Sequence, residues 1–215
     1  MTHFDRAVFR ECSNPACLLR YPDLDNHRLQ STCPLCGAAA TATHEINLQR
    51  NERPPAMEMR PVEILCVLDN IRSVHNVGSM FRTMSGFGVK HAYLCGITPN
   101  PTHQQFTKTS MGAEIEIEWQ VANNAVKICQ ELKSDGCFIV CLESCASSTP
   151  IQEVCLPAND KRIALIIGNE ISGIDPALLM LSDLILSIPV KGKNKSYNVA
   201  VAFGIGLYAC FNAAV

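Results

Sequence analysis

The chain has 215 residues, of which 47% are hydrophobic, and its formal net charge at pH 7 is −2. This length accommodates one full domain with a small appendage, and the apolar content excludes an intrinsically disordered chain. The balanced charge gives no overall positive field, so binding of nucleic acid has to come from local basic patches.

The first fifty residues carry four cysteines in two close pairs. Cys12 and Cys17 form the first pair, and Cys33 and Cys36 form the second, within the sequence Cys-Pro-Leu-Cys-Gly. Four thiolates on two turns are the tetrahedral ligand set that structural zinc prefers. A segment this short has too small a core to fold without a bound metal or disulfide bonds. The spacing predicts a zinc ribbon over residues 1–50. A disulfide pair and a redox Cys-x-x-Cys motif are the alternatives, and the role of the ribbon, fold support or substrate docking, stays open.

The other cysteines are scattered through apolar runs from Cys66 to Cys210. No charged-then-apolar signal segment opens the chain, which indicates the reducing cytosol, where such cysteines act as small buried hydrophobic residues. The most apolar stretch, Val199 to Phe211, would be about 20 Å long as a helix, against roughly 30 Å of bilayer hydrocarbon. It predicts a buried helix and no contact with a membrane.

A proline-rich linker is predicted over residues 51–61, and strand-like and helix-like segments alternate beyond it. Continuous apolar strands between helices predict an α/β domain over residues 62–215, with a mainly parallel sheet and helices on both faces. The predicted strands are Val62–Leu68, Lys90–Cys95, Glu114–Trp119, Cys137–Leu142, Ile163–Ile167 and Leu184–Ile188. The predicted helices are Val77–Phe87, Ala122–Lys133, Pro176–Leu181 and Asn198–Asn212.

Three polar, glycine-bearing loops follow the predicted strands that end at Leu68, Ile167 and Ile188. Ligands of such sheets collect where loops leave the carboxyl ends of the strands. The first loop leads into a helix whose apolar stripe faces the core and whose opposite stripe carries Arg82. None of the loops contains Gly-x-Gly-x-x-Gly or a P-loop, so the two common nucleotide motifs are excluded.

Together these loops resemble the three motifs of the SpoU/TrmH family, which comprises RNA 2′-O-ribose methyltransferases of the SPOUT superfamily. The matching stretches are Asn76-x5-Arg82 with Phe87-Gly88-Val89, then Gly168-Asn169-Glu170-x2-Gly173, then Ile188-Pro189-x2-Gly192-x3-Ser196-x-Asn198-Val199. The resemblance extends from about Val62 to the C-terminus. The chain departs from the family at Tyr197 and Ala200, where members commonly have Leu and Ser, so the detailed adenosine contacts are in doubt.

The resemblance implies a deep C-terminal trefoil knot that binds S-adenosylmethionine, a homodimer with active sites at its interface, and tRNA or rRNA as substrate. It also implies two sets of site residues. The catalytic set is Arg82, Asn76, Glu170, Ser196 and Asn198. The cofactor-binding set is Leu142, Gly168, Ile188, Tyr197 and Asn198.

A role for Arg82 follows from the chemistry of the implied reaction. Methyl transfer needs the ribose 2′-OH in line with an already activated methyl group, so most of the acceleration can come from positioning. A guanidinium stays protonated in proteins and accepts protons poorly, which favours a phosphate clamp over a general base, the alternative role. Lys191, Lys193 and Lys195 are candidate phosphate contacts or solvated surface lysines.

Two other functions stay open at this stage. One is a knotted RNA-binding or assembly protein without activity, and the other is a methyltransferase that acts on a base or on a non-RNA substrate.

Overall fold

The structure, a computed structural model, describes residues 6–24, 31–48, 62–154, 156, 162–193 and 196–213. The chain divides into two compact units, Met1–Glu58 and Met59–Val215. The predicted linker, residues 51–61, lies outside the described residues.

The N-terminal unit contains a three-stranded antiparallel sheet in the order β2-β1-β3, where β1 is Arg6–Cys12, β2 is Arg20–Leu24 and β3 is Ala40–Asn47. Arg10 is buried on the central strand, and its Nε donates to Oδ2 of Asp23 at 2.7 Å. A buried charge requires such a partner, because an unpaired one would lose its hydration without compensation. The ion pair therefore joins β1 to the segment that forms β2.

The larger unit is built on a seven-stranded parallel sheet in the order β6-β5-β4-β9-β7-β10-β8. Its strands are β4 Glu63–Asp69, β5 His91–Cys95, β6 Glu118–Ala122, β7 Phe138–Leu142, β8 Thr149–Pro150, β9 Arg162–Ile167 and β10 Leu184–Ser187. Its helices are α1 Val74–Gly86, α2 Thr107–Ser110, α3 Ala125–Ser134, α4 Pro176–Leu181 and α5 Val199–Ala213. The predicted α/β fold with a parallel sheet is confirmed.

Helices cover both faces of the sheet because successive side chains of a buried strand point to opposite sides. On β4, Leu68 belongs to the core layer that also contains residues of α1 and α5. Its neighbour Val67 belongs to the second layer, with Cys129 of α3 and Leu178 of α4. Both sets of side chains on the central strands are therefore apolar, and these strands are continuous apolar runs in the sequence.

Helix α1 begins three residues before its predicted start. The apolar stripe that predicted it is buried, including Met80 and Met84, but periodicity does not mark the polar first turn. Ser73 caps the helix by accepting a hydrogen bond from the backbone N–H of Asn76 at 3.3 Å. The cap places Asn76 inside the first turn.

The strand predicted at Glu114–Trp119 is wrong in its bounds. The residues Ala113–Ile115 form a 3₁₀ turn, and the strand is Glu118–Ala122. Ile115 and Ile117 are apolar residues two positions apart, which is the pattern of a half-buried strand. However, Ile115 is 86% exposed and only Ile117 is buried. The short α2 and the two-residue β8 were not predicted, since elements of that length show no periodicity.

The cysteines outside the N-terminal unit are largely buried. Those at positions 66, 95, 129, 137, 141 and 210 are buried, Cys145 is half-buried, and Cys155 lies outside the described residues. The described cysteines form no disulfide, and burial raises the pKa of Cys95 to about 12, which keeps that thiol protonated and inert. Within the described ranges, no helix has the length and apolarity that spanning a membrane requires.

Candidate functional site

A cavity of about 440 Å³ opens at the carboxyl ends of β7, β9 and β10. Ligand pockets in proteins span about 300–1,000 Å³, so a cofactor-sized molecule fits. The lining includes all five residues of the predicted cofactor set, which come from three separate loops: Leu142, Gly168, Ile188, Tyr197 and Asn198.

Glu170 joins the second motif loop to the first. Its Oε2 accepts the backbone N–H of Arg72 at 2.9 Å, and its Oε1 accepts the backbone N–H of Ser73 at 3.2 Å and Nδ2 of Asn76 at 3.1 Å. Burial raises the pKa of the Glu170 carboxyl, but the hydrogen bonds from Arg72, its own amide, Asn76 and Ser73 outweigh burial, so the pKa lies below its usual value. The carboxylate is therefore held ionised.

Asn198 joins the third loop to the same network. Its Nδ2 donates to Oδ1 of Asn76 at 3.2 Å, while its Oδ1 accepts the backbone N–H of Ala200 at 2.9 Å and caps α5. Asn76 thus receives one hydrogen bond and donates another, to Glu170. Residues separated by more than a hundred positions in the chain are held in one polar network beside the cavity.

The network leads to a prediction about pH. Because the folded pKa of Glu170 lies below its unfolded value of about 4.3, the ionised carboxylate adds stability above that value and loses it as the pH falls through the folded pKa. We expect Glu170→Gln to lower the melting temperature at pH 7, and the difference from the wild type to shrink once the pH falls below the unfolded pKa and through the folded one. Thermal melts from pH 3 to 8 measure this. Glu153→Gln is the control, because Glu153 is exposed and has no hydrogen bond in the described structure, and it should show no such pH-dependent difference. If the two variants had the same melting temperature at every pH, the role of Glu170 would be contradicted.

Arg82 lies on the exposed side of α1, six residues after Asn76 and therefore about 9 Å further along the helix axis. It does not line the cavity, and it makes no hydrogen bond or ion pair with any residue that the structure describes. Ser196 does line the cavity, is exposed, and likewise has no hydrogen-bond partner in the described part of the chain. The structure brings Asn76, Glu170 and Asn198 together, whereas Arg82 and Ser196 are not joined to this network by a described hydrogen bond.

Sequence reasoning missed Glu143, which lies on the cavity wall beside Gly173 of the second motif. Oε1 of Glu143 accepts the backbone N–H of Ser144 and its Oε2 accepts that of Ile174, both at 2.9 Å. Gly173 has φ +73°, and an added Cβ there would collide with the Glu143 carboxylate, so the second loop needs glycine at this point. The position of Glu143 directly after a predicted strand was the available signal.

The four N-terminal cysteines also come together. Their sulfur atoms all lie within 4.8 Å of one another, with Sγ–Sγ distances of 3.4 Å between Cys12 and Cys36 and 3.8 Å between Cys17 and Cys33. A tetrahedron with zinc–sulfur bonds of about 2.3 Å requires sulfur separations of roughly 3.8 Å. The donor set fits a closed structural zinc site with no open position.

An open parallel sheet with a polar network and a cofactor-sized cavity at its carboxyl edge defines a ligand-binding α/β domain. The family model described as "SpoU rRNA Methylase family" matches residues 63–208. The chain belongs to this family, which confirms the resemblance found in its three motifs.

Individual relatives match about seven tenths of the chain. The 23S rRNA (guanosine(2553)-2′-O)-methyltransferase of Bacillus subtilis is 29% identical over 154 residues, which are 72% of this chain and 60% of that protein. The tRNA (guanosine(18)-2′-O)-methyltransferase of Aquifex aeolicus is 28% identical over 158 residues, 71% of this chain and 70% of its own. A crystal structure of an AdoMet-bound rRNA methyltransferase from Sinorhizobium meliloti superimposes with a TM-score of 0.66 at 24% identity, covering 74% of this chain and 59% of that one.

Proposed function

We propose that this protein transfers a methyl group from S-adenosylmethionine to a ribose 2′-OH of tRNA or rRNA. The observation that carries the proposal is the hydrogen-bonded network of Glu170, Asn76 and Asn198, because it joins the three family motifs beside one cavity. The named activities of the Bacillus and Aquifex relatives support the same reaction.

The cavity suits the cofactor in size and in surface. Leu142 and Ile188 offer apolar contacts, and Gly168 and Tyr197 bring the second and third loops against the same space. At Gly168 a side chain cannot be accommodated, since an added Cβ would lie 2.7 Å from Cα of Ile174. When bound, S-adenosylmethionine supplies an already activated methyl group.

The chain's own residues would hold the RNA in position. The guanidinium of Arg82 has no partner among the described residues, so it can clamp the phosphate next to the target ribose and stabilise the alkoxide that develops at the 2′-oxygen. The hydroxyl of Ser196 can accept a hydrogen bond from the ribose. Asn76 and Glu170 hold the first loop and helix α1, on which Arg82 is carried. Lys191 and Lys193 are exposed on the third loop and are further candidates for phosphate contacts, while Lys195 lies outside the described residues.

Tyr197 allows a test of cofactor binding. Its hydroxyl donates to the backbone carbonyl of Pro189 at 3.2 Å and closes the third loop. We expect Tyr197→Phe to weaken S-adenosylmethionine binding about three- to tenfold, the equivalent of one net hydrogen bond. Titration calorimetry measures the dissociation constant. Tyr93→Phe, on β5 and outside the cavity lining, is the control and should bind like the wild type. Unchanged affinity in Tyr197→Phe would show that the loop stays closed without the bond.

The quaternary structure and the knot are parts of the same proposal. Helix α5 buries Phe203 and Leu207 against the sheet but leaves Val201 53% and Tyr208 58% exposed. An exposed apolar helix face supports a homodimer that covers it. The second and third motif loops meet at one cavity, which supports the trefoil knot that the family resemblance implies.

For the N-terminal unit we propose one structural zinc ion held by Cys12, Cys17, Cys33 and Cys36, with residues 1–50 as a ribbon and 51–61 as a linker. The closed set of four sulfurs supports a structural role for the metal. The cytosol, where the described thiols stay reduced, is the compartment that fits the proposal.

Labelled-methyl transfer into tRNA and rRNA from a strain that lacks the gene tests the function, with the product mapped by 2′-O-methyl-sensitive sequencing. A single new ribose methylation is expected. Cofactor-independent RNA binding without transfer would instead indicate a knotted binding protein, and a methylated base would indicate the other chemistry.

A further inference from the structure

The charged groups of the cofactor cavity are all of one sign. Among the described residues, its lining contains two carboxylates, Glu143 and Glu170, and no lysine, arginine or histidine. Neither carboxylate forms an ion pair with a residue that the structure describes. Lys191 and Lys193 are exposed on the third loop but do not belong to the lining. The described wall therefore carries negative charge that no cationic side chain balances.

The two carboxylates differ in what they hold. Glu170 accepts three hydrogen bonds from the first motif loop and helix α1, so the network that joins the motifs explains its position. Glu143 belongs to none of the three motifs, and each of its oxygens accepts one described hydrogen bond, from the N–H of Ser144 or of Ile174. A carboxylate offers about four acceptor sites, so Glu143 retains capacity for a ligand.

Glu143 is also fixed in place by the fold. Its own backbone N–H donates to the carbonyl of Leu186 at 2.9 Å, which ties the end of β7 to β10. The bond from Ile174 ties the same residue to the second motif loop, and the Glu143 carboxylate fills the space that a Cβ at Gly173 would need. A charge that the fold already holds does not have to be ordered when a ligand binds. The carboxylate is therefore a preorganised anion at the cavity wall.

The ligand that the proposed function assigns to this cavity exists in two charge states. S-adenosylmethionine carries a positive sulfonium, whereas S-adenosylhomocysteine, which remains after methyl transfer, has a neutral thioether at the same place. Both molecules share the adenosine and the amino-acid parts, so apolar contacts with Leu142 and Ile188 are available to both. A preference between them has to come from a group that responds to the charge or to the methyl group itself.

We propose that Glu143 determines the preference of the cavity for the methyl donor over its demethylated product, through attraction between the carboxylate and the sulfonium. The inference rests on the proposed methyltransferase function. Two unit charges a few ångströms apart at a half-exposed site attract each other by an amount that corresponds to about tenfold in affinity. A hydrogen bond that Glu143 accepts from a hydroxyl of the adenosine would hold both molecules equally and would give no such preference.

Titration calorimetry on the full chain measures the dissociation constants of S-adenosylmethionine, S-adenosylhomocysteine and sinefungin at neutral pH. Sinefungin carries an amino group in place of the methylsulfonium and is the second cationic probe. For Glu143→Gln we expect the dissociation constants of the two cationic ligands to rise about tenfold and that of S-adenosylhomocysteine to change by less than about threefold. Retained binding of the neutral ligand also shows that the variant is folded.

Two further variants test the charge without the change from glutamate to glutamine. Glu143→Asp keeps the charge, so the ratio of the dissociation constants of the neutral and the cationic ligands should stay within about threefold of the wild type even where both affinities fall. Ser144→Lys adds a cation at the wall and leaves the described bonds of Glu143 in place, because Ser144 contributes only its backbone N–H to them. It should weaken the binding of the cationic ligands alone. Glu131→Gln, on the exposed side of α3 and outside the lining, is the control and should bind all three ligands like the wild type.

Equal weakening of all three ligands in Glu143→Gln would overturn the inference, because a hydrogen bond or a purely structural role affects them alike. A preference for the cationic ligands that survives in both Glu143→Gln and Ser144→Lys would overturn it as well. Either result leaves the methyltransferase in place. A wild type that binds neither S-adenosylmethionine nor S-adenosylhomocysteine would instead reject the proposed function and the inference with it.

Discussion

Replacing Arg82 by alanine is expected to lower the rate of methyl transfer by about 10²–10³-fold, the range found when one preorganised donor to a developing oxyanion is removed. The side chain has no partner among the described residues, so its removal costs the fold little. It is nevertheless well placed, because the opposite side of α1 is anchored by Met80, Phe81 and Met84, all fully buried. Single-turnover transfer to RNA measures the rate, and calorimetry should show unchanged binding of S-adenosylmethionine.

Arg162→Ala is the matched control. Arg162 begins β9, whose last residue, Ile167, lines the cavity, and the five-residue separation places Arg162 about 16 Å from it along the strand. It should transfer methyl groups like the wild type.

The Arg82→Lys variant separates the contribution of the positive charge to methyl transfer from that of the planar guanidinium group. Lysine keeps the positive charge but cannot present two parallel donors to a phosphate, so the clamp predicts that most of the loss remains. A fully active Arg82→Lys enzyme would contradict the clamp, and Arg82→Ala with wild-type rates would remove Arg82 from the reaction.

Much of the fold could be predicted because its signals are local. The runs around Val67 and Ile166 are apolar throughout, as strands buried on both faces must be, and the 3.6-residue stripe of α1 is unbroken from Val77 to Met84. The predicted bounds were wrong where a helix cap or the exposure of a side chain, and not the apolar periodicity, decides where an element begins. Ser73 starts α1 before its apolar stripe, and Ile115 looks like part of a strand although it faces solvent.

The sequence predicted which residues belong to the site but not the hydrogen bonds between them. Glu170 accepts the amide of Arg72, 98 positions away in the chain, because β4 pairs with β9 in the sheet. Strand order is a property of the whole fold and has no local signal. The motifs of a known family supplied Glu170 and Asn76, whereas the hydrogen bond between Asn76 and Asn198 depends on tertiary contacts that no pattern in the sequence marks.

Removal of zinc is expected to unfold the N-terminal unit and to leave the larger unit folded. Metal binding contributes about 10–16 kcal/mol to the folding of small zinc domains, far more than so small an apolar core provides. The described core of that unit consists of few buried apolar residues: Ala7, Val8 and Ala40, besides Cys12 and Cys33.

Cys33→Ser and treatment with a strong chelator should therefore have the same result, namely loss of one zinc per chain and rapid proteolysis within residues 6–48. Zinc content is measured by plasma mass spectrometry and cleavage sites by intact mass. Cys145→Ser, at a half-buried thiol outside the cluster, should keep the metal and the protection. Cofactor binding by the larger unit should survive in every variant, because its core layers consist only of residues after position 61. The zinc site would be contradicted if the metal-free chain still resisted protease. If alkylation without prior reduction also left all four of these cysteines unmodified, two disulfides would be the structure of this unit instead.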